Sequence, residues 1–140
     1  MKDLPYIRRV EQKHVQGCAV AAIASVAGVS YETVMRKAFG PHHHRVFEPG
    51  LYTTNIIKLI RSFGLRVKKT DSFNKKLPAI LFLNLLDYEG NDLFHCVVWD
   101  PAFGGRFIDP GWIEPENRSY YRMAWHRANR ETLVITGKSS

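Results

Sequence analysis

Only two cysteines, Cys18 and Cys96, occur in this 140-residue sequence. So few exclude a disulfide-stapled scaffold, and both are read as free thiols in a reducing compartment. No apolar run is long enough to span a bilayer. Residues 1–10, MKDLPYIRRV, lack the continuous apolar block and small-residue cleavage site of a secretory signal. These absences point to a cytoplasmic protein with no membrane partner. CxxC and HExxH patterns are missing too, so the metal expectation is none and no cofactor is called for. With no internal repeat, low-complexity segment or linker, the chain reads as one domain over residues 1–140. The net charge is +7, but no Lys/Arg block is long enough to form a nucleic-acid arm. The basic residues come in scattered pairs such as Arg8-Arg9, Lys68-Lys69 and Lys75-Lys76, which ordinarily just solvate a surface. Docking to an acidic protein is the functional alternative.

A composition of 45% hydrophobic and 24% charged residues suits a globular core. Residues 18–27 are apolar on every side except Ser25, the pattern of a helix buried all round. Gly17 is an acceptable N-cap, and Gly28 stands where a left-handed terminal residue belongs. Ser30 caps a second helix carrying Tyr31, Val34, Met35 and Ala38 on one stripe, stopped by Gly40-Pro41. A third helix is expected from about Thr54 to Phe63. The period then changes. LRVKK, PAILFLNL, LFHCVVWD, GRFIDP and ETLVITG read as strands, whereas residues 117–130 mix aromatics and arginines in no clean period. Helices first and strands after predict an α+β domain, helices packed on an antiparallel sheet.

Cys18 stands where a polar approach meets the buried helix. A thiol at that position feels the positive end of the helix dipole and unpaired N–H groups, and both favour the nucleophilic thiolate. The alternative is a small buried core residue. A nucleophile needs a base and a group that orients the base. Of the six histidines, His42, His43 and His44 lie together after Gly40-Pro41 and offer a metalloprotein as a rival reading. His95 lies inside an apolar strand, where a polar ring needs a partner or a role. Strand alternation puts His95, Val97 and Trp99 on one face and Cys96 on the other, so Cys96 is expected in the core. Folding a hairpin across PAFGG pairs Asp100 with Arg106 and Trp99 with Phe107. Asp109 then falls on the His95 face as a diagonal neighbour within side-chain reach. Acyl transfer through a thiolate also needs donors for the developing oxyanion, commonly the nucleophile's own N–H and a side-chain amide. Gln12 and Gln16 both qualify.

A glutamine six residues before a cysteine that opens a buried helix, then a strand histidine in FHCVVWDP and an aspartate in RFIDPGW, resembles the papain-like cysteine peptidases. The likeness is to the double-glycine leader peptidase domain of bacteriocin-exporting ABC transporters and its stand-alone bacterial and phage relatives. It runs from about residue 10 to residue 136. The resemblance implies a papain-like fold with Cys18 as nucleophile, His95 as base, Asp109 as orienting acid and Gln12 at the oxyanion hole. Those transporter domains usually carry Asp-Cys-Gly, where this sequence has Gly17-Cys18-Ala19. The expected activity is that of a cysteine peptidase or isopeptidase. Its substrate is a peptide or protein, with a Gly-Gly-terminated leader or a ubiquitin-like tail as the two named classes. Gly17, Trp99, Trp112 and Tyr121 are the candidate substrate-binding residues, the aromatics as walls of a narrow cleft. An amidase or transamidase with the same triad and a catalytically silent binding module are the alternatives.

Overall fold

A computed structural model describes residues 7–111 and 118–139. Its order is α1 (Cys18–Ala27), α2 (Tyr31–Phe39), α3 (Thr53–Ser62), β1 (Leu65–Thr70), β2 (Ala79–Asn84), β3 (Phe94–Asp100), β4 (Arg106–Ile108), α4 (Arg118–Arg127) and β5 (Thr132–Lys138). The strands form one sheet in the order β1-β5-β2-β3-β4, with every neighbouring pair antiparallel. This is the expected α+β architecture. The ambiguous stretch 117–130 resolves into α4, because Tyr121, Ala124 and Trp125 recur at i, i+3 and i+4 and bury together.

Alternation along the strands divides the core in two. Ile80, Cys96, Val98, Ile108, Leu133 and Ile135 face α1, α2 and α3, whereas Leu81, Leu83, Val97, Trp99, Phe107 and Val134 face α4. Residues 19–25 of α1 are all buried, so this helix is fixed between the sheet and its helical neighbours. Gly28 ends it in the left-handed conformation, φ 70°, and its N–H donates to Ala24 O. The Ser30 side chain accepts from Thr33 N and starts α2.

The β3–β4 register is the expected one: Asp100 opposite Arg106, Trp99 opposite Phe107 and Val98 opposite Ile108. Gly105, φ 92°, holds the connecting turn where a Cβ would meet the Trp99 ring at 2.3 Å, so a side chain there would displace the indole. The segment before α1 lies across the end of this hairpin. Ile7 N–H donates to Asp100 Oδ2 at 3.3 Å, and Arg106 Nη2 donates to Ile7 O at 2.8 Å. Arg9 donates from Nε to Asp109 O at 2.7 Å and from Nη2 to Pro110 O at 3.1 Å. Gln12 N–H donates to Pro110 O at 3.0 Å. Chain regions a hundred residues apart are thereby tied at the mouth of the sheet.

Candidate active site

Three elements meet there. α1 presents Cys18 from its first position, β3 presents His95 one residue inside its start, and the turn after β4 presents Asp109. His95 Nε2 lies 2.7 Å from Asp109 Oδ1, with side chains 13% and 3% exposed. Nε2 is thus committed to Asp109, and Nδ1 is the nitrogen left for the hydrogen bond with Cys18. Asp109 is itself held by two more donors: Gly111 N–H to Oδ1 at 2.9 Å and Tyr121 O–H to Oδ2 at 3.0 Å. With three donors and the Arg9 clamp on its carbonyl, this carboxylate has little freedom to turn.

The electrostatics follow from those contacts. Cys18 is pulled from the ordinary thiol value of 9.0 to about 5. The largest cause is a hydrogen bond from the Cys96 side chain. Burial opposes it, and His95 adds both a hydrogen bond and its charge. For His95, burial disfavours the imidazolium, yet Asp109 and Cys18 outweigh burial and raise the ring from 6.5 to about 9. Burial likewise pushes against an ionised Asp109, but His95, Gly111 N–H and Tyr121 O–H carry its carboxyl below the usual range. Between pH 5 and 9, therefore, the site rests as a thiolate beside an imidazolium.

Cys18, His95 and Cys96 line a groove of about 440 Å³ whose walls include Val15, Gln16, Leu51, Leu93 and Phe94. Val15 is 95% exposed and Phe94 70%, so the lips of this groove are apolar and open to solvent. A second hollow of about 450 Å³, between α2 and α3, shares Gly50 and Leu51 with it. Cys18 N–H has no acceptor among the described residues, as befits the first N–H of a helix. The Gln12 amide is engaged within its own turn: its Nε2 donates to His14 O at 3.0 Å and Val15 O at 3.1 Å. Its Oε1 is buried beside Gly111 and has no donor among the described residues.

The other sequence candidates separate. Trp99 is 2% exposed on the α4 side of the sheet, packed edge-on against Phe73 and Phe107, with Nε1–H donating to Lys75 O at 2.9 Å. It is a core residue and not a groove wall. Tyr121 is also buried, and its hydroxyl reaches Asp109 instead of substrate space. Trp112 lies outside the described residues. Gly17 is buried behind the groove, where a Cβ would meet the Tyr31 hydroxyl at 2.1 Å. That hydroxyl also bonds His14 Nδ1 at 2.8 Å, which fixes the 14–17 turn leading into Cys18. Of the three consecutive histidines, His43 is buried with Nδ1 bonded to Gly40 O at 3.1 Å and Nε2 to Glu32. Among the described residues no three ligating side chains converge as a metal site. Sequence reasoning missed that Cys96 lines the same groove as Cys18, and it missed the support given by Arg9. Strand parity separated Cys96 from His95 correctly, but carried no information on where α1 begins.

Solved structures that share this fold include two peptidases. One is the peptidase domain of Streptococcus ComA, a bi-functional ABC transporter involved in a quorum-sensing pathway: TM-score 0.64, 15% identity, 97% of this chain and 100% of that one covered. The other is a double-glycine motif protease from an AMS/PCAT transporter in complex with its leader peptide: TM-score 0.59, 17% identity, 95% of this chain and 92% of that one covered. The fold is thus that of the papain-like peptidase domains. No protein-family model and no curated protein sequence matches the chain.

Proposed function

We propose that this chain is a cysteine peptidase whose nucleophile is Cys18. The observation that carries the reading is the His95–Asp109 pair, bonded at 2.7 Å, with His95 and Cys18 lining the same open groove. The thiolate attacks a peptide carbonyl carbon, forming the S–C bond and moving the C=O electron pair onto oxygen. Cys18 N–H and the Gln12 amide receive that oxyanion. For this the Gln12 amide turns away from His14 O and Val15 O. Its Oε1, which has no donor among the described residues, favours the change, since a buried unsatisfied carbonyl is destabilising by about 1–3 kcal/mol. As the tetrahedral centre collapses, the C–N bond breaks and His95 Nδ1–H protonates the leaving amine. Neutral His95 then takes a proton from water, which attacks the thioester and frees Cys18. Asp109 keeps the ring oriented and favours its charged form throughout.

The substrate is an extended peptide with small residues at the cut. Apolar lips at Val15, Leu93 and Phe94 suit apolar side chains before the scissile bond, and the groove continues past Gly50 and Leu51. The relative solved with a leader peptide supports a Gly-Gly preference. We also propose a cytoplasmic setting, in which both thiols stay reduced. The test is covalent capture with electrophilic peptides ending in Gly-Gly, of leader type and of ubiquitin-tail type, against a random peptide set. Selective labelling of Cys18 by either Gly-Gly probe is expected. Equal labelling by the random set would remove the Gly-Gly preference. No labelling by any probe would reject the peptidase reading.

A further inference from the structure

Tyr31 is the first residue of α2, yet its side chain serves the approach to α1. The residue is 3% exposed, and a buried phenol hydroxyl needs a partner. It finds one 2.8 Å away at Nδ1 of His14, whose ring stacks on the phenol with the two planes 22° apart. The same hydroxyl lies where a Cβ on Gly17 would stand, so a side chain at the residue before Cys18 would displace it. One hydroxyl thus holds both ends of the 14–17 turn. That turn carries the bonds that set the oxyanion donors. His14 O accepts from Gly17 N–H at 3.0 Å and from Gln12 Nε2 at 3.0 Å. Gly17 O accepts from Ala21 N–H at 3.0 Å, the bond that starts α1 and fixes the direction of the Cys18 N–H.

Resting on the assignment of Cys18 as a peptidase nucleophile, we propose that Tyr31 is a positioning residue for the oxyanion hole: its hydroxyl, through His14 and Gly17, sets where the Gln12 amide and the Cys18 N–H stand before attack. Tyr31 is not part of the groove lining, so it acts through the turn alone. Oxyanion donors help only when they are aimed at the place where charge develops. A small misplacement that begins away from the reacting atoms is therefore costly in rate. A phenylalanine would fill the same buried space and keep the ring stack. It would leave His14 Nδ1 without the hydroxyl and the turn loose at both ends. The bond between His95 and Asp109 does not involve this turn. Loss of the hydroxyl should thus weaken the oxyanion hole and leave the base and its orienting acid in place.

The test compares the wild type, Tyr31→Phe, His14→Ala and the double variant by three measurements. Turnover of a peptide coumarin amide ending in Gly-Gly needs the oxyanion hole. Alkylation of Cys18 by iodoacetamide is a displacement at a saturated carbon, which forms no oxyanion and needs the thiolate alone. Hydrogen exchange at Gly17 N–H, read by NMR, needs no substrate. Tyr31→Phe should lower kcat by about tenfold with KM little changed. It should alkylate at the wild-type rate and exchange Gly17 N–H several-fold faster. His14→Ala should behave alike, and the double variant should be no worse than His14→Ala, because both changes remove one bond. His14→Ala carries the test if Tyr31→Phe fails to fold. A Tyr31→Phe protein with wild-type kcat would overturn the proposal. So would an equal fall in turnover and alkylation, the mark of general damage, or a double variant whose loss is the product of the two single losses. A wild type that turns over no Gly-Gly amide would count against the peptidase reading, a separate failure. Exchange at Gly17 then decides: faster in Tyr31→Phe upholds the positioning of the turn, and unchanged overturns it.

Discussion

Replacing Asp109 with asparagine separates charge from orientation at His95. The geometry accepts the amide. His95 Nε2 and Gly111 N–H both donate to Oδ1, the position a carbonyl oxygen would keep. Tyr121 is the donor at Oδ2, and its hydroxyl can turn to accept from an amide N–H there. Asp109→Asn should thus fold and keep the ring in place, while removing the negative charge beside it. In the wild type His95 is raised from an ordinary 6.5 to about 9. Asp109 and Cys18 share that rise, and burial works against it. Loss of the Asp109 share should lower the His95 titration by about 1–2 units. The assay is an NMR titration of the His95 Cε1–H resonance, which needs no substrate. Asp109→Ala, which also removes the acceptor, should lower turnover by about 10²-fold or more at every pH, the scale of a misplaced general base. An Asp109→Asn protein that is folded and still titrates near 9 would refute the ion-pair reasoning.

Catalysis should follow a bell in pH. Activity rises through about 5 as Cys18 loses its proton and falls through about 9 as His95 loses its own. A profile centred above 9 would contradict that order of ionisation. Gln12→Ala should reduce kcat by about 10²-fold, on the scale of an oxyanion donor, whereas Gln16→Ala, on the groove wall, should act mainly on KM. Steady-state kinetics of the two variants distinguishes them, and the reverse pattern would move the oxyanion role to Gln16. Tyr121→Phe should destabilise the fold by about 1–3 kcal/mol, because a buried carboxylate oxygen loses its donor. Thermal unfolding checks this, and an unchanged Tm would mean that the 3.0 Å bond adds nothing.

Much of the site was legible because it depends on local rules. A helix apolar all round between two glycines had to be buried, and Cys18 was its first residue. Alternation and a five-residue turn were enough to bring His95 and Asp109 to the same place. What escaped depends on how elements pack. The stripe of Tyr121, Ala124 and Trp125 spans little more than one helical turn among arginines, too short for periodicity to reveal. Trp99 was on the expected strand face, but its burial against Phe73 and Phe107 in the α4-side core depends on how α4 packs on the sheet. Cys96 was placed in the core by parity, correctly. Its place in the same groove lining as Cys18 depends on how α1 packs on the sheet, which parity does not reveal.

The central claim is that Cys18 rests as a thiolate paired with the His95 imidazolium. Its most direct test is the pH titration of thiolate ultraviolet absorbance, taken as the difference between the wild type and Cys18→Ser. The expected result is a single ionisation near 5 that moves up toward the ordinary thiol range in His95→Ala. A wild-type ionisation at the ordinary value of 9.0, indifferent to His95, would contradict the account.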